Sequence, residues 1–285
     1  METFDINFIG SSPKGLSLLI KHGGFIVKKS FCLKKRITNE LRRTCRDNDI
    51  EFVAFDWIDR FRELINSDNC SEYFIYQLDM LVPEDLLTNN RFYNIHRGSL
   101  EYNRGPNPDI WPILKGFDES AISLHQINEK IDAGFLIKEV KEPLYEDDDV
   151  ASLKERLEEK LPDLVQALYE FKNGLIEKRR VTGGAYYPWI TEDDFTINLK
   201  EDSISDIKRK IKSQKIYNGA ILYVNNIKNY VIDVIECNPD CDTSEKKTSN
   251  EINVFSPLTE KTLKFIVNDS PSYPPPPKTS KSKRV

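Results

Sequence analysis

The segment Phe4–Ile20 reads FDINFIGSSPKGLSLLI, and it decides the fold class of this chain. Its first part, Phe4–Ile9, is short and rich in apolar residues, which favours a buried strand. The Gly/Ser-rich loop Gly10–Gly15 follows, and the apolar run LSLLI then begins a helix. A strand, a glycine-rich loop and a helix in this order are typical of the opening of a doubly wound α/β fold.

The residues that follow continue this alternation. Further strands are predicted at Phe25–Phe31, Glu51–Ala54, Tyr73–Gln77, Phe92–Ile95 and Ala121–Ile127. Helices are predicted between the early strands, at Thr38–Asn48 and Trp57–Asn66. Val150–Asn173 carries apolar residues at spacings of three and four, which predicts an amphipathic helix, and Pro162 within it predicts a kink or a restart.

The pattern changes after Gly183 and Gly184. One short helix is predicted at Ser205–Ser213, and it precedes β-rich runs at Ala220–Val224, Tyr230–Glu236, Ile252–Phe255 and Thr262–Val267. We therefore predict a Rossmann-like α/β domain over residues 1–184 and a smaller β-rich domain over 185–269. Residues 270–285 contain four consecutive prolines followed by Lys, Ser and Arg, a composition that predicts a disordered tail.

Composition excludes several classes of protein. Hydrophobic residues make up 39% of the 285, which is enough for a sizeable core. The net charge of −5 and the pI of about 5.5 argue against a nucleic-acid partner, which usually meets a basic face. No run approaches the roughly 20 apolar residues of a membrane span, and the start of the chain does not resemble a signal peptide. The five cysteines are an odd and sparse set in which only Cys237 and Cys241 lie close together, which favours a reduced, cytoplasmic protein. Cys237-x3-Cys241 is not followed by a histidine, so we expect no metal site.

The segment Phe92–Val140 carries the residues best suited to chemistry. Asn94 and His96 are two positions apart at the end of a predicted strand, so their side chains share one face. Asp132 follows the next predicted strand, in a turn closed by Ala133 and Gly134. A carboxylate, an imidazole and an amide at one sheet edge are suited to acyl transfer. The same residues are also compatible with a loop cap and an ordinary turn, so the pattern alone leaves catalysis open.

Three motifs in this segment carry a resemblance to a known family: Asn94–His96 (NIH), Leu100–Gly105 (LEYNRG) and Ile131–Gly134 (IDAG). Together they resemble the folate-dependent formyltransferases. The variant Tyr102–Pro108 (YNRGPNP) with Trp111 is most similar to the sugar N-formyltransferases that act on dTDP-linked amino sugars. Further similarity lies in Ala185–Pro188 (AYYP), Thr191–Asp193 (TED) and Asn218–Ala220 (NGA).

The resemblance implies a function for each part of the site. Asn94, His96 and Asp132 are the catalytic residues, and the formyl donor is 10-formyltetrahydrofolate. The folate-binding residues are those of one strand-to-loop segment, namely Tyr76, Gln77, Leu78, Asp79, Met80 and Leu81. The substrate-binding residues lie in the glycine-rich loop, in the LEYNRG motif and in the aromatic cluster near residue 187: Ser11, Ser12, Lys14, Asn103, Arg104, Gly105, Tyr186, Tyr187 and Trp189. An aromatic face in that cluster can stack on the thymine ring, and domain-interface packing is the competing interpretation. The chain departs from the family's motifs at two positions. Glu101 replaces the usual proline, and Trp189 replaces a residue that is often basic.

By the same resemblance, the acceptor is a dTDP-linked amino-deoxyhexose, with dTDP-3-amino-3,6-dideoxy-D-galactose or -D-glucose favoured, in O-antigen and lipopolysaccharide biosynthesis. The protein is expected to pair as a homodimer through strands between Ala220 and Val267. Formylation of methionyl-tRNA is the alternative activity, and a nucleotide-sugar-binding protein is the non-enzymatic alternative. His125 lies within a predicted strand, which favours a structural role.

Overall fold

The computed structural model describes residues 2–237, 250–268 and 271. Within this part of the chain, the residues form two compact units. The first unit comprises residues 2–105, Ser120–Glu142 and Arg156–Tyr186, and the second comprises Pro106–Glu119, Pro143–Glu155 and the described residues from Tyr187 onwards. No helix in the described residues is long and apolar enough to cross a membrane.

The secondary structure alternates over the first half of the chain and is β-rich near the end. The strands are β1 (Phe4–Asp5), β2 (Asn7–Gly10), β3 (Phe25–Ile26), β4 (Lys29–Leu33), β5 (Glu51–Phe55), β6 (Glu72–Tyr76), β7 (Arg91–His96), β8 (Glu119–Gln126), β9 (Phe135–Pro143), β10 (Arg179–Arg180), β11 (Ala220–Val224), β12 (Ile227–Glu236), β13 (Glu251–Ser256) and β14 (Lys261–Val267). The α-helices are α1 (Pro13–Lys21), α2 (Asn39–Asp47), α3 (Ile58–Asn66), α4 (Trp111–Lys115), α5 (Val150–Glu159), α6 (Leu161–Lys172) and α7 (Ile204–Gln214).

The first unit is built on a sheet with the order β10-β9-β8-β7-β6-β2-β4-β5. The strands β2, β4, β5, β6 and β7 are parallel, and β8 pairs with β7 in the antiparallel sense. Numbered along the chain, these five parallel strands have the order 3-2-1-4-5, which is that of a doubly wound sheet whose direction reverses between β2 and β6. The predicted Rossmann-like α/β fold is therefore confirmed.

Local sequence signals explain where two of the helices begin. The Ser12 side chain accepts a hydrogen bond from the Gly15 backbone N–H and so caps the first turn of α1. Pro13 occupies the first turn of that helix, where its missing N–H costs nothing. Pro162 likewise lies in the first turn of α6, directly after α5 ends at Glu159. Of the two predicted effects of Pro162, the structure shows a restart.

Two predicted strands are each divided in the structure. The segment predicted as one strand at Phe4–Ile9 forms β1 and β2, and the segment at Phe25–Phe31 forms β3 and β4. The buried side chain of Asn7 provides the physical reason, because its Oδ1 accepts hydrogen bonds from the backbone N–H groups of Lys28 (3.2 Å) and Lys29 (2.9 Å). A side-chain acceptor takes N–H groups that would otherwise join a strand ladder, so the pairing is interrupted there.

The second unit contains an antiparallel sheet with the order β11-β12-β14-β13. Helix α7 contributes Ile207 and Ile211 to the core that this sheet forms with Val231, Leu263 and Phe265. The four predicted β-rich runs and the predicted short helix are all present, with bounds that shift by a few residues. The domain boundary near residue 184 stays a prediction. The predicted tail lies outside the described residues, apart from Pro271.

Candidate active site

The candidate site lies on the paired strands β7 and β8 of the first unit, where both strands carry polar residues. His96 is the last residue of β7. The antiparallel register of β8 places His125 opposite Asn94, and it places Ser123 opposite His96. Asp132 lies in the turn between β8 and β9 with a positive φ of 45°. The sheet register thus gathers side chains that are far apart in the sequence.

The structure brings the three predicted catalytic residues into one cluster, together with His125. The Nδ1 atom of His96 is 3.7 Å from Oδ2 of Asp132, and Nε2 of His125 is 3.8 Å from Oδ1 of the same carboxylate. The Nδ2 atom of Asn94 is 3.1 Å from Nε2 of His125. One carboxylate therefore faces two imidazoles, and the amide is linked to it through His125.

The hydrogen bond of His96 determines which of its nitrogens is basic. Its Nε2 lies 2.8 Å from the backbone carbonyl oxygen of Asn103. Because a carbonyl oxygen can only accept, Nε2 carries the hydrogen and donates it. The lone pair of the neutral ring is therefore on Nδ1, on the side of Asp132. A proton taken up at Nδ1 would produce an imidazolium between the Asn103 carbonyl and the Asp132 carboxylate, an arrangement suited to a general base.

The Asp132 carboxylate is held by the backbone of another segment. The backbone N–H of Gly105 donates a hydrogen bond of 3.0 Å to Oδ2 of Asp132. The turn that carries Asp132 is closed by Asn128, whose Nδ2 donates to the Ala133 carbonyl (2.9 Å) and whose Oδ1 accepts from the Lys130 N–H (3.0 Å). Gly105 was predicted to bind substrate, and in this structure its N–H anchors the predicted catalytic carboxylate.

Gly98 is a residue of this site that the sequence analysis did not identify. A Cβ atom added to it would lie 2.6 Å from both the Asn103 carbonyl oxygen and Nε2 of His96. The hydrogen bond between those two groups thus passes directly against the Gly98 backbone. Ser123 supports the same loop, since its Oγ lies 2.7 Å from the Gly98 carbonyl oxygen and 3.0 Å from Oε2 of Glu139. Only the close approach of the backbone, visible in three dimensions, explains the need for glycine here.

His125 is almost fully buried, with 2% of its surface exposed. Burial lowers its pKa to about 4, and the nearby His96 acts in the same direction. The Asp132 carboxylate and the Gln126 backbone favour the charged ring, but burial outweighs them. His125 is therefore neutral at pH 7. Predicted to be structural, it is in fact in contact with two predicted catalytic residues.

The predicted folate segment and the glycine-rich loop meet at the point where the strand order reverses. Gly10 at the end of β2 is in register with Tyr76 at the end of β6. A Cβ atom on Gly10 would lie 1.8 Å from the Tyr76 carbonyl oxygen, so this close approach requires glycine. Ser11 Oγ donates a hydrogen bond of 3.1 Å to the Gln77 carbonyl. Ligands of doubly wound sheets bind in the crevice at this reversal, beyond the carboxyl ends of the strands.

Several side chains of these two segments already have partners in the first unit. The Tyr76 hydroxyl lies 3.3 Å from Oε1 of Glu158 and 3.4 Å from Nη1 of Arg97. The Lys14 ammonium is 3.8 Å from Oε2 of the same glutamate. The remaining predicted folate-binding residues differ in their surroundings: Asp79 pairs with Arg36, Leu78 and Met80 pack against the core of the sheet, and Leu81 is exposed.

The predicted substrate-binding residues near the LEYNRG motif mainly hold the backbone. Asn103 is buried, and its carbonyl binds His96. The Arg104 guanidinium donates to the carbonyls of Leu100 (2.5 Å) and Gly183, and the Arg104 backbone N–H donates to the Ala185 carbonyl (3.0 Å). These bonds join the motif to the segment that precedes the aromatic cluster.

The three predicted aromatic residues differ in exposure. In the first unit, Tyr186 is 52% exposed. In the second unit, Tyr187 packs on the ring of Trp111 with a centroid separation of 5.1 Å, and Trp189 is 59% exposed. Tyr187 therefore packs within the second unit, whereas Tyr186 and Trp189 have exposed rings; substrate binding by the three residues stays a prediction. No group of three or more His, Cys, Asp or Glu side chains in the described residues is arranged to hold a metal ion; Cys241 lies outside those residues.

Comparison with known proteins shows that this chain is similar in sequence and in fold to formyltransferases. No family model matches the chain. In sequence it is similar to the methionyl-tRNA formyltransferase of Mycoplasma genitalium, with 30% identity over 188 residues, which cover 65% of this chain and 54% of that protein. The chain thus spans about half the length of the curated relatives it matches. This similarity confirms the expected resemblance to the folate-dependent formyltransferases.

Sugar N-formyltransferases are among the solved structures that share the fold. A 4-N formyltransferase from Francisella tularensis superposes with a TM-score of 0.66 at 17% identity, covering 79% of this chain and 94% of that one. The N-formyltransferase from Helicobacter canadensis, solved in complex with folinic acid and dTDP-3-aminofucose, has a TM-score of 0.66 at 16% identity, covering 94% of this chain and all of that one (100%). At these identities the likeness establishes the fold.

Proposed function

We propose that this protein is a cytoplasmic N-formyltransferase that moves the formyl group of 10-formyltetrahydrofolate to the amino group of a dTDP-linked amino-deoxyhexose. The observation that carries the proposal is the cluster of Asn94, His96 and Asp132 at the edge of a doubly wound sheet. The extensive likeness in fold to sugar N-formyltransferases supports the sugar nucleotide as acceptor. The favoured acceptors are dTDP-3-amino-3,6-dideoxy-D-galactose and -D-glucose, which would place the product in O-antigen and lipopolysaccharide biosynthesis.

The proposed reaction requires one bond to form, one bond to break and one proton to move. The neutral acceptor amine attacks the formyl carbon, the bond from that carbon to the folate N10 breaks, and a proton passes from the amine to N10. Asn94 would donate an N–H to the oxygen that becomes negative during the attack. His96 would accept the amine proton at Nδ1, its free nitrogen, and Asp132 would stabilise the resulting imidazolium.

We also propose how the remaining residues bind the two substrates. The crevice between β2 and β6 would receive the folate along Tyr76–Leu81, largely through backbone groups. Ser11, Ser12 and Lys14 would contact the pyrophosphate at the start of α1, where backbone N–H groups and the helix dipole favour an anion. Tyr186 or Trp189 would stack on the thymine ring. Pairing of two copies through strands between Ala220 and Val267 is part of the same proposal.

Formylation of methionyl-tRNA is a second candidate, because the curated relative named above is a methionyl-tRNA formyltransferase. The charge of the chain argues against it, since a pI of about 5.5 gives little attraction to a polyanion. The chain is acidic overall, with 46 Asp and Glu residues against 41 Lys and Arg residues.

One experiment separates these functions. Purified protein is mixed with 10-formyltetrahydrofolate and, in turn, with dTDP-3-amino sugars, dTDP-4-amino sugars and methionyl-tRNA, and the release of tetrahydrofolate is followed. We expect turnover with a dTDP-amino sugar, and a loss of about 10²–10⁴-fold in His96→Ala, the usual contribution of a positioned acid–base group. Turnover with methionyl-tRNA alone would select the second candidate. Sugar-nucleotide binding without turnover would indicate a binding protein.

A further inference from the structure

The strongest unexplained feature of the site is the imidazole of His125. It is directly opposite Asn94 across the β7–β8 ladder, and the two side chains meet at 3.1 Å between Nδ2 and Nε2. Residues in such a cross-strand pair restrict each other's conformation because their Cβ atoms are only about 5 Å apart. Neither the mechanism proposed above nor the sequence pattern gives this contact a role.

The chemistry of the two groups determines the form of the His125 ring. The Asn94 Nδ2 atom carries only hydrogens and can only donate, so Nε2 of His125 must accept. The neutral ring then carries its single hydrogen on Nδ1. The Asn94 amide has two N–H bonds, and one of them is used by His125. The second is left for a substrate oxygen.

Protonation of His125 would reverse this arrangement. An N–H at Nε2 would face the donor group of Asn94, and it would be drawn towards Oδ1 of Asp132, 3.8 Å away. The amide would lose its acceptor, and the carboxylate would share its charge between two imidazoliums instead of serving His96 alone. The site therefore works only while His125 is neutral, and burial ensures this because it lowers the pKa of the ring to about 4.

We propose that His125 is a positioning residue of the formyl-transfer site: as a neutral imidazole protonated at Nδ1, it accepts a hydrogen bond from Asn94 and holds that amide ready to donate to the reacting oxygen. The proposal rests on the proposed function for its catalytic consequence. The tautomer of His125 and its dependence on Asn94 do not rest on it, and they can be measured without any substrate.

The first arm of the test is spectroscopic. The chain has three histidines, His22, His96 and His125, so long-range ¹⁵N–¹H spectra of labelled protein contain few imidazole signals, and the His125→Gln variant assigns the one that disappears. We expect His125 to be in the Nδ1–H form at pH 7 and to stay neutral down to about pH 5. Asn94→Ala should shift its Nε2 resonance. A charged ring, an Nε2–H tautomer or an unchanged resonance in Asn94→Ala would overturn the proposal.

The second arm is kinetic and uses two variants of similar size. Glutamine can place a carbonyl oxygen near the position of Nε2 and so keep an acceptor for Asn94, whereas leucine cannot. We expect His125→Leu to lower kcat by about 10- to 10²-fold, somewhat less than loss of a whole oxyanion donor, with KM for both substrates nearly unchanged. His125→Gln should recover most of kcat. His22→Gln, at the C-cap of α1, should match wild type.

The outcomes of the two arms are distinguishable. Equal kcat losses in folded His125→Gln and His125→Leu would assign His125 to packing alone, and wild-type kcat in both would remove it from the site. Absence of turnover in the wild type with every acceptor would refute the proposed function, and the spectroscopic arm would still decide the state of His125. Thermal unfolding of each variant identifies any that fail to fold.

Discussion

Gly98→Ala tests the geometry of the candidate site most directly, because it adds a single methyl group beside His96. The added Cβ would lie 2.6 Å from Nε2 of His96 and 2.6 Å from the Asn103 carbonyl oxygen. Ordinary van der Waals contact for such an atom begins at 3.4 Å, so each neighbour must move by about 0.8 Å, the difference between the two distances. The 2.8 Å hydrogen bond between those neighbours cannot survive movements of this size.

The displacement sets the size of the expected effect. A shift of about 1 Å in a reacting group costs on the order of 10² in rate, so we expect kcat to fall by about that factor. Overpacking of a buried position also costs about 1–3 kcal/mol, so the variant should unfold at lower temperature while remaining folded at 25 °C. Loss of the Asn103 bond frees Nε2 of His96, so the ring can also change tautomer.

The assay compares kcat with the midpoint of thermal unfolding for Gly98→Ala and for a matched control, Gly24→Ala. A Cβ on Gly24 would lie 2.4 Å from the ring of Tyr169, in the first unit and away from the cluster. We expect both variants to lose stability, and only Gly98→Ala to lose kcat. Retention of kcat within twofold in Gly98→Ala, or an equal loss in Gly24→Ala, would refute the role given to the contact between His96 and Asn103.

Three further predictions follow from the structure and the proposed function. Tyr186→Ala and Trp189→Ala should each raise KM for the sugar nucleotide with a smaller change in kcat, because a stacking face is lost. If steady-state kinetics show an unchanged KM in both variants, the two side chains serve packing and do not stack on the base. Hydrogen bonds from Ser203, the N-cap of α7, and from Arg209 lower the pKa of Asp206 in the folded protein. The ionised Asp206 side chain therefore stabilises the fold above the pKa that it has in the unfolded chain, and this stabilisation is lost as the pH falls. The difference in free energy of unfolding between wild type and Asp206→Asn, measured with urea, should shrink between pH 5 and pH 2. A chain ending at Asp269 should keep its assembly and activity by light scattering and assay, whereas one ending at Asn218 should give monomer or aggregate; a full-length monomer at micromolar concentration would contradict the proposed homodimer.

The class of the fold was predictable because its local signals agree with one another. The Gly10–Gly15 loop, the Ser12 cap and the alternation of apolar runs all indicate strand, loop and helix in sequence. The division at Asn7 was not predictable, because it depends on the Asn7 side chain accepting backbone N–H groups about 20 residues away. A buried side chain that interrupts the pairing of two strands produces no periodic pattern in the sequence.

Strand β9 was missed for a different reason. Phe135–Pro143 carries charged residues at irregular positions among its apolar ones, so neither the period of a strand nor that of a helix dominates. Its position matters for the site, because Glu139 on β9 lies 3.0 Å from Ser123 Oγ and accepts a hydrogen bond of 3.3 Å from the Leu100 N–H. The loop that follows His96 is thus fixed by a strand that the sequence pattern does not indicate.

Resemblance to the formyltransferases identified Asn94, His96 and Asp132, whereas the sequence pattern predicted only a structural role for the fourth residue of the cluster, His125. Asn94 and His96 share a face of one strand, which a period of two predicts, and Asp132 follows from the motif that contains it. His125 reaches the cluster only because β8 runs antiparallel to β7 with the register that pairs it with Asn94. Shifting that register by one residue would turn His125 to the opposite face of the sheet. The sequence alone does not specify the register between β7 and β8. A histidine within a predicted strand, such as His125, is therefore interpreted as a residue of the core. A network of side chains that spans a strand pair therefore becomes visible only when the pairing is known.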